Sequence, residues 1–162
     1  MSARELLVRV ADLRIGVADD VLITVGLGSC VAILLHDAEA RVGGMAHVLL
    51  PSPALARSDG NPAKFPQSAV PRLVELMQAD GARRNRITAR LAGGASMFAA
   101  LAPLGTIQMG ERNIVAARQA LNAHGIPLTG EAVGGDFGRT VRMRVGDGRV
   151  EVSTVAHGTQ QL

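Results

Sequence analysis

Residues 26–51 constrain the fold most, because they predict two strands paired around a short polar turn. The apolar run at residues 31–36 predicts the first strand, and residues 42–50 predict the second. The four residues from Asp37 to Ala40 are polar or small, so we place the turn at their centre, on Ala38-Glu39. An antiparallel hairpin is therefore the expected nucleus of the fold.

That turn position determines which residues of the two strands oppose each other. It places Cys30, the only cysteine of the chain, opposite His47. Directly opposed residues have Cβ atoms about 4.5–5.5 Å apart, so this register predicts a thiol–imidazole ion pair. The glycine pair Gly43-Gly44 leaves open a bulge that would shift the register by one residue.

A lone cysteine in an apolar run is ordinarily a small buried hydrophobe, but two features here favour a nucleophile. The stretch before Cys30 is rich in glycine, so the N–H groups around Gly28 and Ser29 can converge on a developing oxyanion. The opposed His47 would lower the thiol pKa as an imidazolium. Thr24, in a strand predicted at residues 21–25, can orient the imidazole, although it is equally well explained as an ordinary strand residue.

These residues carry a resemblance to a known family. The stretches GLGSCVAILLHD and GGMAHVLLP resemble the signature of the CheD family, the chemoreceptor glutamine deamidases of chemotaxis. Later blocks resemble that family in the same order, from residue 6 to residue 155: PAKFPQSAVPRLVELM, LAGGASMF, IQMGERNIVAARQAL and GGDFGRTVRMRVGDGRVEV.

The resemblance implies a protein-glutamine deamidase, a thiol amidohydrolase that converts receptor glutamines to glutamate. It implies Cys30, His47 and Thr24 as the catalytic triad, supported by backbone groups at Gly28 and Ser29. It implies the cytoplasmic helices of methyl-accepting chemoreceptors as the protein substrate, with a CheC-type phosphatase as a regulatory partner. Hydrolysis of methyl esters at the same positions is a reasonable extension, because the same thioester would serve.

Two other functions stay open on the residues alone. The first is a different thiol acyl-transfer enzyme, such as a small cysteine protease or a transglutaminase-like protein. The second is a binding module of the chemotaxis adaptation system that keeps the hairpin but uses no thiol chemistry. The flanking family blocks favour the deamidase over the former, and the apposition of Cys30 with His47 argues against the latter.

Length and composition predict a single domain spanning residues 1–162. The chain is 48% hydrophobic, with three Phe and no Trp or Tyr, so its core is aliphatic. One cysteine excludes an intrachain disulfide and is typical of a reducing compartment. Neither an apolar leader nor a spanning segment is evident, which predicts a cytoplasmic protein without membrane insertion.

The net charge of +3 makes nucleic-acid binding worth weighing. Aromatic side chains that stack on bases are nearly absent, and we interpret the arginine cluster at residues 83–86 as a solvated face. No nucleic-acid partner is therefore predicted. No histidine pairs with another histidine, a cysteine or a carboxylate at metal-ligand spacing, so no metal and no cofactor are predicted either.

The rest of the chain predicts helices at residues 68–79 and 113–123 and strands at residues 87–91 and 128–133. Helices mixed with hairpins indicate an α+β fold, and the resemblance implies layered β-sheets with helices packed against them. The proline-rich loop at residues 51–67 carries Arg57 and Lys64, which we expect to contact an acidic protein surface.

Near the C-terminus, Asp147-Gly148 predicts a two-residue type I′ turn. Arg144 would then oppose Glu151, and Val145 would oppose Val150. The tail beyond residue 155 is expected to be frayed.

Overall fold

The structure, a computed structural model, describes residues 3–55 and 60–162 as three packed layers. Two five-stranded sheets lie face to face, and two α-helices cover the outer face of the second sheet. The first sheet contains, in spatial order, β1 (Glu5–Leu7), β3 (Val21–Leu27), β8 (Arg139–Arg144), β9 (Val150–Thr154) and β10 (Gly158–Gln161). The second contains β2 (Leu13–Val17), β5 (Val42–Val48), β4 (Val31–Asp37), β6 (Thr88–Gly93) and β7 (Leu128–Val133). The helices are α1 (Pro66–Ala79) and α2 (Met109–Ala123), so the predicted α+β fold of layered sheets is confirmed.

The centre of the second sheet is buried on both faces, which explains its nearly continuous apolar sequence. All seven residues of β4 and all seven of β5 are buried. Side chains at alternate positions, such as Val31 and Ile33, pack on the helices. Those between them, including Ala32 and Leu34, pack on the first sheet together with Cys30. His47 therefore projects between the two sheets, because it has the same alternation as Met45.

The β4–β5 hairpin forms, but the predicted register is wrong by two residues. Ala32, not Cys30, lies opposite His47. The turn comprises four residues, 38–41, because hydrogen bonds hold Asp37 at the end of β4. Its carboxylate accepts from Ala40 N (3.1 Å) and from the guanidinium of Arg86 (3.0 Å). Arg86, which we expected on a solvated face, thus forms an ion pair with a fully buried carboxylate.

The glycine pair of β5 serves close packing and not a bulge. The ladder runs unbroken from the pair Asp37–Val42 to the pair Val31–Val48. A Cβ on Gly43 would lie 2.9 Å from Met143 Cε of the first sheet. Since Gly44 is equally crowded on the helix side, side chains at these positions would push the layers apart.

The predicted register of the β8–β9 hairpin is also wrong by two residues. Arg142 lies opposite Glu151, and residues 145–149 form a longer connection in place of the type I′ turn. Val145 does not pair with β9 because its backbone groups bond to other parts of the chain. Its N–H donates to Asp20 O (2.9 Å), and its carbonyl accepts from His36 Nε2 (2.7 Å). These tertiary bonds outweigh the local preference for a tight turn.

The C-terminal tail differs from expectation as well. The tail is not frayed but forms β10, which pairs antiparallel with β9 at the edge of the first sheet. The Leu162 N–H continues this pairing by donating to Val150 O at 2.9 Å. At the other end, β1 stops at Leu7 and pairs parallel with β3. Neither helix of the described part of the chain has the length and apolarity needed to cross a membrane.

Candidate active site

The backbone of His47 is clamped on the edge of β5 that faces the start of β2. Its N–H donates to Asp12 O (3.0 Å), and its carbonyl accepts from Ala11 N (2.9 Å). The side chain is completely buried between the sheets, at 0% exposure. The backbone position from which the imidazole projects is therefore fixed, and the ring is shielded from water.

Thr24, for which the sequence left two interpretations open, reaches His47 from the opposite sheet. Thr24 Oγ1 lies 2.7 Å from His47 Nδ1 and 2.6 Å from the carbonyl oxygen of Val8. A carbonyl can only accept, so the single hydroxyl proton of Thr24 goes to Val8. The oxygen of Thr24 must then accept from Nδ1–H, which assigns the neutral tautomer with its lone pair on Nε2.

His47 Nε2 is free to take a proton. It is buried and has no hydrogen-bond partner among the described residues. Burial also lowers the pKa of His47, because the charged imidazolium is poorly solvated there. The side chain is thus held as a neutral base with its lone pair unoccupied at ordinary pH.

In the loop before β4, the carbonyl groups are hydrogen-bonded to other residues and the N–H groups are not. The carbonyl of Gly28 accepts from Ala95 N, that of Ser29 from the amide of Asn113, and that of Cys30 from Gly94 N, each at 2.8 Å. The N–H groups of Gly28, Ser29 and Cys30 donate to no other residue among those that the structure describes. Free backbone donors beside a candidate nucleophile are what an oxyanion requires.

Cys30 projects from the same face of the sheet as His47, one step diagonally away. Continuing the register places it opposite Leu49, and diagonal neighbours have typical Cα separations of about 7–8 Å. The thiol is 8% exposed. Burial raises its pKa, and the Cys30 N–H opposes this by lowering the pKa. The resting ion pair that we predicted is therefore absent, and the two groups are a neutral thiol and a neutral imidazole.

This pair gives a testable pH dependence. Alkylation by iodoacetamide requires the thiolate, whose fraction falls about tenfold for each unit of pH below the pKa. Because burial raises the pKa of Cys30, its alkylation rate should have a midpoint above that of glutathione measured in parallel, and at pH 7 it should react more slowly. The measurement is the rate of mass gain at Cys30 across pH, with Cys30→Ser as the blank. A midpoint below that of glutathione would contradict this account and restore the ion pair.

Two parts of the site were missed by the sequence reasoning. The Val8 carbonyl, which orders the Thr24–His47 relay, has no side-chain signal at all. Asn113 on α2 is different: it is a polar residue inside the apolar stripe that includes Ile114 and Ala117. That break in the pattern was a readable signal, although we assigned the residue only to the start of a helix.

A cavity of about 300 Å³ adjoins the loop that carries Cys30. Ser29 lines one side, and Met97, Phe98 and Gln108 are among the residues that line the rest. The loop between β6 and α2 exposes large apolar side chains next to this cavity, with Phe98 at 73% exposure. The exposed members of this apolar loop are Met97, Phe98, Leu101, Leu104 and Ile107. Contiguous exposed apolar surface of this kind marks interaction sites.

No cluster of three or more His, Cys, Asp or Glu side chains suited to a metal ion occurs within residues 3–55 and 60–162. The absence of a metal and of a cofactor stays a prediction from the sequence.

Comparison with known proteins relates this arrangement to characterised sequences. The family model described as CheD, chemotactic sensory transduction, matches residues 49–154. Proteins from Caldanaerobacter subterraneus subsp. tengcongensis (37% identity) and Clostridium botulinum (40% identity) match over 162 residues, which is 100% of both chains in each case. Both carry the name probable chemoreceptor glutamine deamidase CheD.

A solved structure supports the architecture. The crystal structure of a Neisseria meningitidis protein from the family model DUF152 superposes with a TM-score of 0.54, covering 83% of this chain and 65% of that one. At 10% identity this likeness concerns the fold alone. The full-length relatives and the family model, which matches more than half of the sequence, together establish that this chain belongs to the CheD family.

Proposed function

We propose that this protein is a chemoreceptor glutamine deamidase in which Cys30 is the nucleophile, His47 the general base and Thr24 the residue that orients the base. The observation that carries the proposal is the Thr24–His47 relay, which leaves the Nε2 lone pair free in the same layer as the only cysteine. The names of the full-length relatives supply the substrate class.

In the first half of the reaction, Cys30 Sγ attacks the side-chain carboxamide carbon of a glutamine while His47 Nε2 takes the thiol proton. The free N–H groups of the loop, at Ser29 and Cys30, donate to the oxygen that becomes an oxyanion. The His47 imidazolium then gives its proton to the departing nitrogen. Ammonia leaves, and a γ-glutamyl thioester on Cys30 remains.

In the second half, His47 takes a proton from water, which attacks the thioester carbon. Collapse of the tetrahedral species breaks the C–S bond and returns the proton to the sulfur of Cys30. The balance is one glutamine side chain and one water giving one glutamate side chain and one ammonia. No redox partner is required. A methyl ester at the same position would pass through the same thioester, with methanol as the leaving group.

The resting pair is neutral, and this fits general-base catalysis better than a preformed thiolate. Catalytic hydrogen bonds are often long before substrate binds and tighten in the complex. A neutral imidazole is already in the protonation state that a base needs, because the pKa of His47 is lowered by burial. Proton transfer then accompanies attack, so turnover does not depend on a large resting fraction of thiolate.

We place the substrate contact on the apolar loop as well as on the loop at residues 51–67. Arg57, one of the two basic residues that we expected to contact the substrate, lies outside the described residues. The other, Lys64, holds its loop against the end of β5, because its carbonyl accepts from Leu49 N (2.9 Å) and Leu50 N (3.1 Å). Both loops thus lie beside the segments that carry Cys30 and His47, and we place the cytoplasmic helices of a receptor there. We also propose a CheC-type phosphatase as a regulatory partner, because the family resemblance implies one.

The decisive test is mass spectrometry of a receptor cytoplasmic fragment incubated with the protein. Deamidation adds about one mass unit per glutamine, and fragmentation assigns the site. A peptide cleavage product would instead indicate a thiol protease. An unmodified fragment that co-purifies with the protein would indicate a binding module.

We expect Phe98→Glu to lower kcat/KM on the receptor fragment about tenfold, because a central exposed aromatic residue of a docking surface commonly contributes more than 1 kcal/mol. Phe98 is not placed in the chemistry, so alkylation of Cys30 should be unchanged. The measurement is the initial rate of deamidation against fragment concentration, for the variant and the wild type.

The matched control is Val155→Glu, which puts the same charge at another exposed apolar residue, in the turn between β9 and β10. Free glutamine serves as a second substrate, and it should be very poor because it lacks remote binding energy. Rates on the fragment should also fall with salt if the basic loop contributes, since interactions between exposed charges are largely screened beyond about 8–10 Å at roughly 0.1–0.15 M salt. Comparable rates on fragment and free glutamine, insensitive to Phe98→Glu and to salt, would point to a small-molecule amidase.

A further inference from the structure

Asn113 is a fully buried polar side chain on the apolar face of α2. Burial of an amide in such surroundings is costly unless its polar atoms are hydrogen-bonded. Its Nδ2 donates to Ser29 O (2.8 Å) and to Leu49 O (3.3 Å), whereas its Oδ1 has no partner among the described residues. The two hydrogen bonds that Nδ2 donates therefore account for the burial of Asn113, whereas its Oδ1 contributes none.

Those two donors connect the two catalytic segments. Ser29 directly precedes Cys30, and Leu49 follows His47 by two residues. A single side chain on α2 thus ties the loop of the nucleophile to the strand of the base. Both N–H groups of the amide are used, one on each segment.

The bond to Ser29 O has a particular geometric consequence. In a trans peptide, the carbonyl of one residue and the N–H of the next point in opposite directions within one plane. Fixing Ser29 C=O toward Asn113 therefore fixes the Cys30 N–H away from it. That N–H donates to no other residue among those described, and it belongs to the proposed nucleophile itself.

The neighbouring peptides are held differently. Gly28 O and Cys30 O accept from the backbone N–H groups of Ala95 and Gly94. Of the three carbonyls in this loop, only that of Ser29 is held by a side chain. The orientation of the Cys30 peptide thus depends on one residue that a substitution can remove.

We propose that Asn113 is a positioning residue that aims the Cys30 N–H at the oxyanion of the tetrahedral intermediate. The inference rests on the proposed deamidase function and adds a residue that touches neither the substrate nor the reacting atoms. Asn113 therefore stabilises the transition state and not the bound substrate, because negative charge develops on the oxygen only as the tetrahedral intermediate forms. Loss of Asn113 should therefore lower kcat and leave KM nearly unchanged.

The test compares Asn113→Ala with Asn122→Ala, an exposed asparagine on the same helix. Losing one oxyanion donor costs about 10²–10³ in kcat, so misdirecting it in Asn113→Ala should cost roughly 10–10². Asn122→Ala should match the wild type. Iodoacetamide, which forms no oxyanion, should alkylate Cys30 at the wild-type rate in both variants at a fixed alkaline pH.

A second probe isolates the oxyanion. The probe is a receptor peptide in which an aldehyde replaces the side-chain carboxamide of the target glutamine. The aldehyde adds the Cys30 thiol reversibly, and its oxygen then takes the position of the oxyanion. Its dissociation constant should rise in Asn113→Ala in parallel with the loss of kcat. Unchanged kcat and aldehyde binding would overturn the inference, as would an alkylation rate that falls as far as kcat, since that result indicates general disruption.

If Asn113→Ala does not fold, Asn113→Asp decides the question. A carboxylate cannot donate to Ser29 O, but the protonated acid can. Activity relative to wild type should therefore recover as pH falls, and a constant ratio across pH would overturn the inference. Failure of the deamidase proposal itself is distinguishable, because the wild type would then leave the receptor fragment unmodified.

Discussion

Replacing Cys30 by serine should abolish deamidation, with kcat lowered on the order of 10⁴-fold or more. The physical reason is the nucleophile: a hydroxyl is far less acidic than a thiol, and His47 Nε2 is a neutral base matched to sulfur. The assay is the mass gain of the receptor fragment over a time course long enough to detect residual turnover. Retention of near-wild-type turnover would remove Cys30 from the mechanism.

The fold of this variant needs its own control, because Cys30 packs in the core between the sheets. A buried hydroxyl without a partner costs about 1–3 kcal/mol, so a small fall in Tm is expected even with the fold intact. Circular dichroism is the appropriate probe, since the chain contains no Trp or Tyr. Cys30→Ala, which adds no polar atom, should be equally inactive while avoiding that penalty.

Removing the imidazole in His47→Ala should cost about 10²–10⁴ in kcat, the usual contribution of a general base. Thr24→Val should cost far less. The hydroxyl contributes one hydrogen bond to the imidazole, worth about 0.5–1.5 kcal/mol, or roughly tenfold in rate. The difference follows from the proposed roles, in which His47 carries the proton and Thr24 only selects the tautomer that leaves Nε2 free.

Thr24→Ser is the matched control for that comparison, because it keeps the hydroxyl that donates to Val8 O and accepts from His47. It should retain most of the wild-type rate. Rates are measured on the receptor fragment, with thermal unfolding followed for each variant. If Thr24→Val proves as inactive as His47→Ala with its fold preserved, Thr24 has a direct chemical role that we have not assigned.

The site shows how far local reasoning extends. Cys30, His47 and Thr24 could be selected from residue types, glycine content and family blocks. The hydrogen bond between Thr24 and His47 followed as expected, although the two residues lie on different sheets. The pairing that first suggested the site was nevertheless wrong, since Ala32 lies opposite His47. Cys30 and His47 still share a face because a shift of two residues preserves the alternation of side chains.

The sequence by itself determined which segments form strands and helices and which of their faces are apolar, because those patterns repeat with the periods of the two structures. Tertiary structure decided the registers and the order of the tail, which forms β10. The reason is energetic: Asp37 and Val145 are each held by two long-range hydrogen bonds, worth about 0.5–1.5 kcal/mol apiece, which together outweigh the local turn preference. The free N–H groups at residues 28–30 and the Asn113 amide bonded to Ser29 O also arise only in three dimensions, since Asn113 stands 84 residues from Ser29.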